Sequence, residues 1–437
     1  MGADREPGFA RADTHADAGR LDEAITEYRL ALAKQPDDAA ARTRLGLILR
    51  SNDDLDGAIA NLEMVLAQAP DADVARLNLA LALDEAGEGK QALALIDAAG
   101  DLIANSPRAR WMASRVLLRA GDFTRGFAMH EARWDAGDAA LRMRPYGKPR
   151  WQGEPAPGAR LLIWHEQGLG DTLLALRHAA TVCARGLSVV AHVQPALAAL
   201  ARTYDGVEAV FDSEPPASAF DLHIPALSLP HALALDVKSA GAGLPALAPP
   251  PERLAKWRAL LPPTSAFRIG LTWRSTVFRD DLLIAQSKLA RSLPLAALAP
   301  FGALPGVELV SLQVGHGAGE TGVPLLDRTS HIDDMADTAA LIAGLDLVVS
   351  IDTSVAHVAG ALGTPLFVLV NSDPDWRWLA GNVESPWYPA ARIFRQGARN
   401  DWRGAVGAAA TAARDMAAAR TTASWLGRVL ARARPRA

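Results

Sequence analysis

Cysteine is nearly absent: Cys183 stands alone among 437 residues. That excludes an intrachain disulfide and any metal cluster built on several thiolates, and it fits a reducing compartment, so a cytoplasmic location is expected. A large charge excess is missing too. The formal net charge is −4, and the basic residues are scattered except at the extreme C-terminus, so nucleic acid is not an expected partner. No apolar run approaches the ~20 residues of a membrane span. The opening MGADREPGFARADTHADAGR holds no apolar centre of the secretory type, and Glu6 stands where a myristoylation motif needs Ser or Thr. A soluble protein is expected. Half of the residues are hydrophobic and 22% are charged, a balance that permits sizeable cores, and the length suggests about three compact units.

Internal repetition organises the first third. Ala24, Ala58 and Ala92 lie 34 residues apart, as do Pro36 and Pro70, and as do Gly19, Asp53, Gly87 and Gly121. The stretches AGRLDEAITEYRLALAKQPDD and NDDLDGAIANLEMVLAQAPDA resemble tetratricopeptide repeats. They carry a small residue where two helices cross, an aromatic residue or Leu four positions later, and a Pro closing the second helix. Leu45-Gly46 adds the matching pair in the next repeat. About three and a half repeats are expected within 1–137. Such an array either binds a peptide or protein along its concave face or braces the next domain.

Residues 138–158 are rich in Pro, Gly and basic residues and read as a linker. Short β-branched runs then alternate with helical segments. RLLIWHE, LSVVAHV, VEAVF and FDLHI form one series; a Pro-rich break at 243–254 separates it from FRIGLTW, VELVSLQV, LDLVVSI, PLFVLV and ARIFRQ. Two parallel-sheet lobes are expected, 159–250 and 251–400, followed by a C-terminal helix and basic tail at 401–437. The four arginines of SWLGRVLARARPRA allow weak contact with an acidic membrane surface or partner, or form a solvated end.

Ligands of parallel sheets gather beyond the carboxyl ends of the strands, and two strand-to-helix junctions carry chemistry there. In LLIWHEQGLGDTLLALRHA, Gly168 and Gly170 allow a tight turn and close backbone approach of a ligand, and Asp171 opens a helix. Asp171 is either a cap or a carboxylate beside the ligand. The turn is not a dinucleotide fingerprint, since Leu173 occupies the third glycine position. In LVVSIDTSVAHVAGALGTP, Asp352, Thr353 and Ser354 stand at a strand end and helix start, where free N–H groups favour an anion. His357 follows one turn later on the same face. The alternatives are simple capping by Asp-Thr-Ser and a core histidine.

At these residues the chain resembles bacterial proteins in which tetratricopeptide repeats are fused to a GT-B glycosyltransferase domain similar to the ADP-heptose:lipopolysaccharide heptosyltransferases, and more distantly to the O-GlcNAc transferases. EQGLGDTLLALRHA, IDTSVAHVAGALGTP, PDWRW and SPWYPAARIFRQ carry the likeness. It implies a nucleotide-diphospho-sugar donor held by the C-terminal lobe, an acceptor held by the N-terminal lobe, and transfer without a metal or other cofactor. By the same likeness Asp352, Thr353, Ser354 and His357 grip the donor, and Asp171 is the base or acceptor-side group. A cation for the leaving diphosphate is expected from RSTVFRDDLLIAQSKLARSLPL, where Arg274, Lys288 and Arg291 are the candidates. This loop keeps Arg291-Ser292 but lacks the Asn-Pro and His of relatives. Trp376 and Trp378 in DWRW either stack on a base or sugar or pack the domain. The reading is a metal-independent glycosyltransferase whose repeats recruit a protein acceptor, flagellin or another surface protein, or a glycan. The alternative is a catalytically degenerate GT-B scaffold that works through its repeats.

Overall fold

The computed structural model describes residues 7–137, 142–243, 247–275 and 291–419. Lys288 and the basic tail beyond residue 419 lie outside the described residues. The chain divides between Arg142 and Met143 into two compact units.

The first unit is helical. Pro7–Asp17 pairs with Leu21–Lys34, Ala39–Ser51 with Leu55–Gln68, Asp73–Glu85 with Gly89–Ala98, and Pro107–Arg119 with Phe123–His130; a short helix, Gly100–Asn105, precedes the last pair. These are four helix pairs among the described residues, half a repeat more than the spacing predicts. The difference is Pro7–Asp17, whose Phe9 and Ala12 are fully buried in one cluster with Ala24 and Tyr28. Ala24, Ala58 and Ala92 are fully buried, because any larger side chain would hold the helices of a pair apart.

The 34-residue register of Gly19, Asp53, Gly87 and Gly121 has a backbone cause. All four residues adopt positive φ, at 73°, 70°, 89° and 85°. In each case the next residue donates its N–H to a carbonyl five positions back: Arg20 to His15, Asp54 to Leu49, Glu88 to Leu83 and Asp122 to Leu117. This is the left-handed closure that ends a helix and reverses the chain. A Cβ on Gly87 would meet nothing within 4 Å, so Gly87→Ala is expected to cost only the left-handed backbone strain, about 1 kcal/mol. A urea midpoint unchanged from wild type would contradict that account.

Among the described residues the second unit holds two all-parallel sheets. The first has the order β3-β2-β1-β4, from β1 (Arg160–Trp164), β2 (Ser188–His192), β3 (Val207–Phe211) and β4 (Leu222–Pro225). The second has the order β6-β5-β7-β8-β9, from β5 (Phe267–Thr272), β6 (Val307–Ser311), β7 (Leu347–Ile351), β8 (Leu366–Val370) and β9 (Ala391–Arg395). The central strands β5, β7 and β8 are buried at every residue, as strands covered by helices on both faces must be. The edge strands β3 and β9 are partly exposed and carry Glu208, Arg392 and Arg395, charges that discourage further pairing.

One expectation needs correction. Residues 142–158 are not a free linker. Trp151 is fully buried, its N–H donates to the His223 carbonyl and the His223 N–H donates to the Pro149 carbonyl. This irregular segment therefore continues the first sheet beyond β4; Pro and Gly mark it because it is irregular, not because it is unpacked. The C-terminal helix expected from residue 401 is Arg403–Ala418. Its Val406, Ala409 and Ala413 pack into the core of the second sheet.

In both sheets the order reverses beside one strand: β1 lies between β2 and β4, and β5 between β6 and β7. The crevice outside the carboxyl ends at such a reversal is where open α/β sheets place their ligands. The Gly-x-Gly-Asp turn follows β1 and Asp352 follows β7, so topology puts both motifs there.

Candidate active site

The two junctions meet. Asp171 lies in the first turn of Leu169–Leu176, and its Oδ2 accepts the Gly168 N–H at 2.7 Å. Its Oδ1 accepts from Nη2 of Arg377, a residue of the second lobe. Asp171 is therefore both a cap and an inter-lobe ion pair, and both of its oxygens are engaged.

Gly170 faces the other motif. A Cβ built there would lie 2.5 Å from Cδ2 and 2.8 Å from Nε2 of His357. The close approach that the glycine permits is thus to an imidazole of the second lobe, where the sequence suggested a ligand.

His357 is 4% exposed. Its Nδ1 lies 2.8 Å from the Tyr388 hydroxyl, and its ring rests 5.7 Å from that of Trp378. Burial pushes its pKa down to about 4, outweighing the attraction of Asp352, so the ring is neutral at pH 7. A small helix surface makes this packing possible: the Tyr388 ring sits against Gly360, where a Cβ would come within 2.3 Å of it.

The Asp-Thr-Ser segment does not cap its helix. Among the described residues no side chain caps the N-terminus of Ser354–Ala361; the Thr353 hydroxyl lies 3.1 Å from the Ser350 hydroxyl instead. The Asp352 carboxylate accepts from Nη1 of Arg291 at 2.5 Å. Burial works against the Asp352 charge, but the Arg291 guanidinium, helped by Arg377, holds the carboxyl below its usual range. Thr353 and Ser354 remain half-buried, and the first N–H groups of the helix have no side-chain acceptor among the described residues, an arrangement that suits an anion.

The sequence places Arg377 between two tryptophans, but no role was expected of it. It is 7% exposed, lies 4.2 Å above the Trp376 ring, and bonds Asp375 at 2.5 Å as well as Asp171. Burial opposes its charge, but the surrounding carboxylates of Asp171, Asp375 and Asp352 raise its pKa further. An arginine between two tryptophans, two residues after Asp375, was the available signal. Arg177, also missed, is 3% exposed and donates to the carbonyls of Trp387 and Ala240, each at 2.6 Å.

The stacking reading of Trp376 and Trp378 is corrected. Trp378 is fully buried against His357 and Tyr388, and Trp376 is buried against Trp387 and Arg377. Neither offers an open face to a base. Arg274 turns to Glu320, at 2.7 Å, and its backbone N–H donates to Gln313. Of the two candidate cations among the described residues, Arg291 is the one the structure brings to Asp352.

A further polar group occupies the carboxyl edge of the first sheet. Arg144 reaches Nδ1 of His192 at 3.1 Å and Nε2 of His165 at 3.0 Å, and Tyr146 reaches the same His192 nitrogen at 3.0 Å. A guanidinium only donates, so both contacted nitrogens are acceptors and both imidazoles are neutral. Burial and the Arg144 charge accordingly push His165 down to about 4 and lower His192.

Over 445 aligned residues, spanning 91% of this chain and 71% of its relative, the sequence is 30% identical to protein FlbA of Caulobacter vibrioides. The chain belongs to the FlbA family. Residues 9–73 and 49–116 of this family member match tetratricopeptide-repeat models, and residues 320–400 match glycosyltransferase family 9, the heptosyltransferases. The matched stretch contains Asp352–His357, Arg377 and Tyr388; the Gly-x-Gly-Asp turn lies outside it. This FlbA-family chain is thus a glycosyltransferase with tetratricopeptide repeats. Among solved structures, a family 9 glycosyl transferase from Veillonella parvula covers 56% of this chain and 88% of its own at 11% identity and a TM-score of 0.42. A tetratricopeptide-repeat protein of Thermus thermophilus covers 31% and 76% at 18% identity and a TM-score of 0.29. No helix among the described residues is long and apolar enough to cross a membrane.

Proposed function

We propose that the protein transfers a sugar from a nucleotide-diphospho-sugar to a hydroxyl of an acceptor brought by the repeat array, without a metal ion. Flagellin or another surface protein is the acceptor class that the repeat-plus-transferase layout suggests. The observation that carries this reading is the convergence of the two junctions. The uncapped helix start at Thr353–Ser354, the Arg291–Asp352 pair and His357 stand on one side, and the Asp171 carboxylate stands on the other, with the two sides in direct contact. Glycosyl transfer requires this combination: donors and cations that stabilise the departing diphosphate, and a carboxylate that takes the acceptor proton. Guanidinium groups supply positive charge where other enzymes use Mg²⁺.

Calorimetric titration with UDP, ADP, GDP and CMP in the presence of EDTA tests the donor half. One nucleotide is expected to bind saturably, and His357→Ala is expected to weaken it about tenfold, close to the loss of one good hydrogen bond. Absence of binding by all four would favour the scaffold reading. The engagement of both Asp171 oxygens and the pairing of Arg274 with Glu320 are the observations on that side.

A further inference from the structure

We propose that Arg377 is a catalytic residue that exchanges partners during the reaction: it holds Asp171 in the donor-free enzyme and moves to the diphosphate of the bound donor, freeing Asp171 to act as base. The proposal rests on the glycosyl-transfer reading above.

Three observations carry it. Asp171 has no spare oxygen, since Oδ2 holds the Gly168 N–H and Oδ1 holds Arg377. The guanidinium that masks the carboxylate also lies over the Trp376 ring, 4.2 Å from its centre, with an Nε–H that meets no acceptor among the described residues. Finally, two guanidiniums, Arg291 and Arg377, serve three carboxylates, Asp171, Asp352 and Asp375. An arriving diphosphate must therefore compete for a cation that is already paired. Arg291 is bonded to Asp352 alone of the three, whereas Arg377 is shared between Asp171 and Asp375. Losing Asp171 leaves Arg377 still anchored by Asp375, so Arg377 can turn without being left unpaired.

The reaction then has a built-in order. Donor binding draws Nη2 of Arg377 to the β-phosphate and exposes Oδ1 of Asp171. The acceptor hydroxyl gives its proton to Oδ1 as its oxygen bonds to the anomeric carbon. The bond from that carbon to the β-phosphate oxygen breaks, its electron pair stays on the diphosphate, and Arg377 takes up the added charge. Until a donor is present the base is occupied, so an acceptor hydroxyl is not activated alone.

The test uses the full chain and whichever of UDP, ADP and GDP binds the wild type, titrated beside the corresponding monophosphate. If Asp171 and the diphosphate compete for Arg377, Asp171→Asn binds the diphosphate about tenfold more tightly than wild type, and Arg377→Gln binds it at least about tenfold more weakly. Both variants bind the monophosphate as wild type does. Arg377→Lys keeps the charge and recovers part of the loss. A merely structural arginine would weaken both nucleotides together and give Asp171→Asn no gain, and that pattern overturns the proposal. Should Arg377→Gln fail to fold, the sign of the Asp171→Asn effect decides by itself. A wild type that binds no nucleotide overturns the transferase reading as well, whereas nucleotide binding without the Asp171→Asn gain overturns the exchange alone.

Discussion

Lowering the pH from 7 to 4.5 is expected to remove about 5 kcal/mol from the stability of the second unit. Two buried histidines cause it. Burial, reinforced by the neighbouring Arg177 charge, pushes His178 down to about 3, and burial pushes His357 down to about 4. In the unfolded chain both titrate near the ordinary value of about 6.5. Below that pH the unfolded chain takes up two protons that the folded chain refuses, so the equilibrium tips toward unfolding by about 1.4 kcal/mol per group and per pH unit. Two groups over two units give the figure above. Their contribution is complete above about pH 6.5 and is lost progressively as pH falls toward their folded pKa values. Asp352, held low by Arg291, acts in the same direction at still lower pH, because protonating it breaks the pair. His165, which burial and the Arg144 charge also push down to about 4, acts in the same direction. Urea unfolding followed by tryptophan fluorescence at pH 7, 5.5 and 4.5 reads the effect, and a midpoint that stays level across that range would contradict it.

The same two lobes show which features a sequence displays and which it withholds. Parallel strands buried on both faces must be apolar runs, so β5, β7 and β8 announce themselves as FRIGLT, LVVSI and LFVLV. The repeat array is equally visible, because its left-handed turns recur at one spacing and demand Gly, or at Asp53 a residue that tolerates the conformation. The site was legible as two motifs at two strand ends. Their joining was not, since Asp171 and Arg377 meet only through the packing of one lobe on the other, and neither residue's neighbours in sequence point to its partner. The tryptophans of DWRW illustrate a different loss. An indole that stacks on a ligand and one that stacks on Arg377 are the same residue in the same place in sequence, and burial alone separates them. The segment 142–158 was misread for a related reason: Pro and Gly record irregular backbone, whereas the burial of Trp151 is a tertiary fact.

Gly170→Ala is expected to destabilise the second unit by about 2 kcal/mol, and His357→Ala in the same chain is expected to recover at least about 1 kcal/mol of that loss. The added methyl would stand 2.5 Å from the imidazole, well inside contact distance. His357 cannot swing away cheaply: the Tyr388 hydroxyl holds Nδ1 at 2.8 Å, the Trp378 ring lies against it, and Tyr388 is itself pressed on Gly360. Either the lobes part, stretching the Asp171–Arg377 pair, or the imidazole leaves its place and loses the tyrosine bond. Both outcomes also weaken nucleotide binding, whereas a strain confined to the backbone of the turn would not. Removing the His357 side chain opens the space the methyl needs, so the two substitutions must couple favourably in stability even though each alone is harmful. Two independent, additive losses would mean that Gly170 serves only the turn after β1. A favourable coupling would show that the glycine motif of one lobe and the histidine motif of the other are two sides of one packed surface. The requirement for Gly in the first would then follow from the ring in the second.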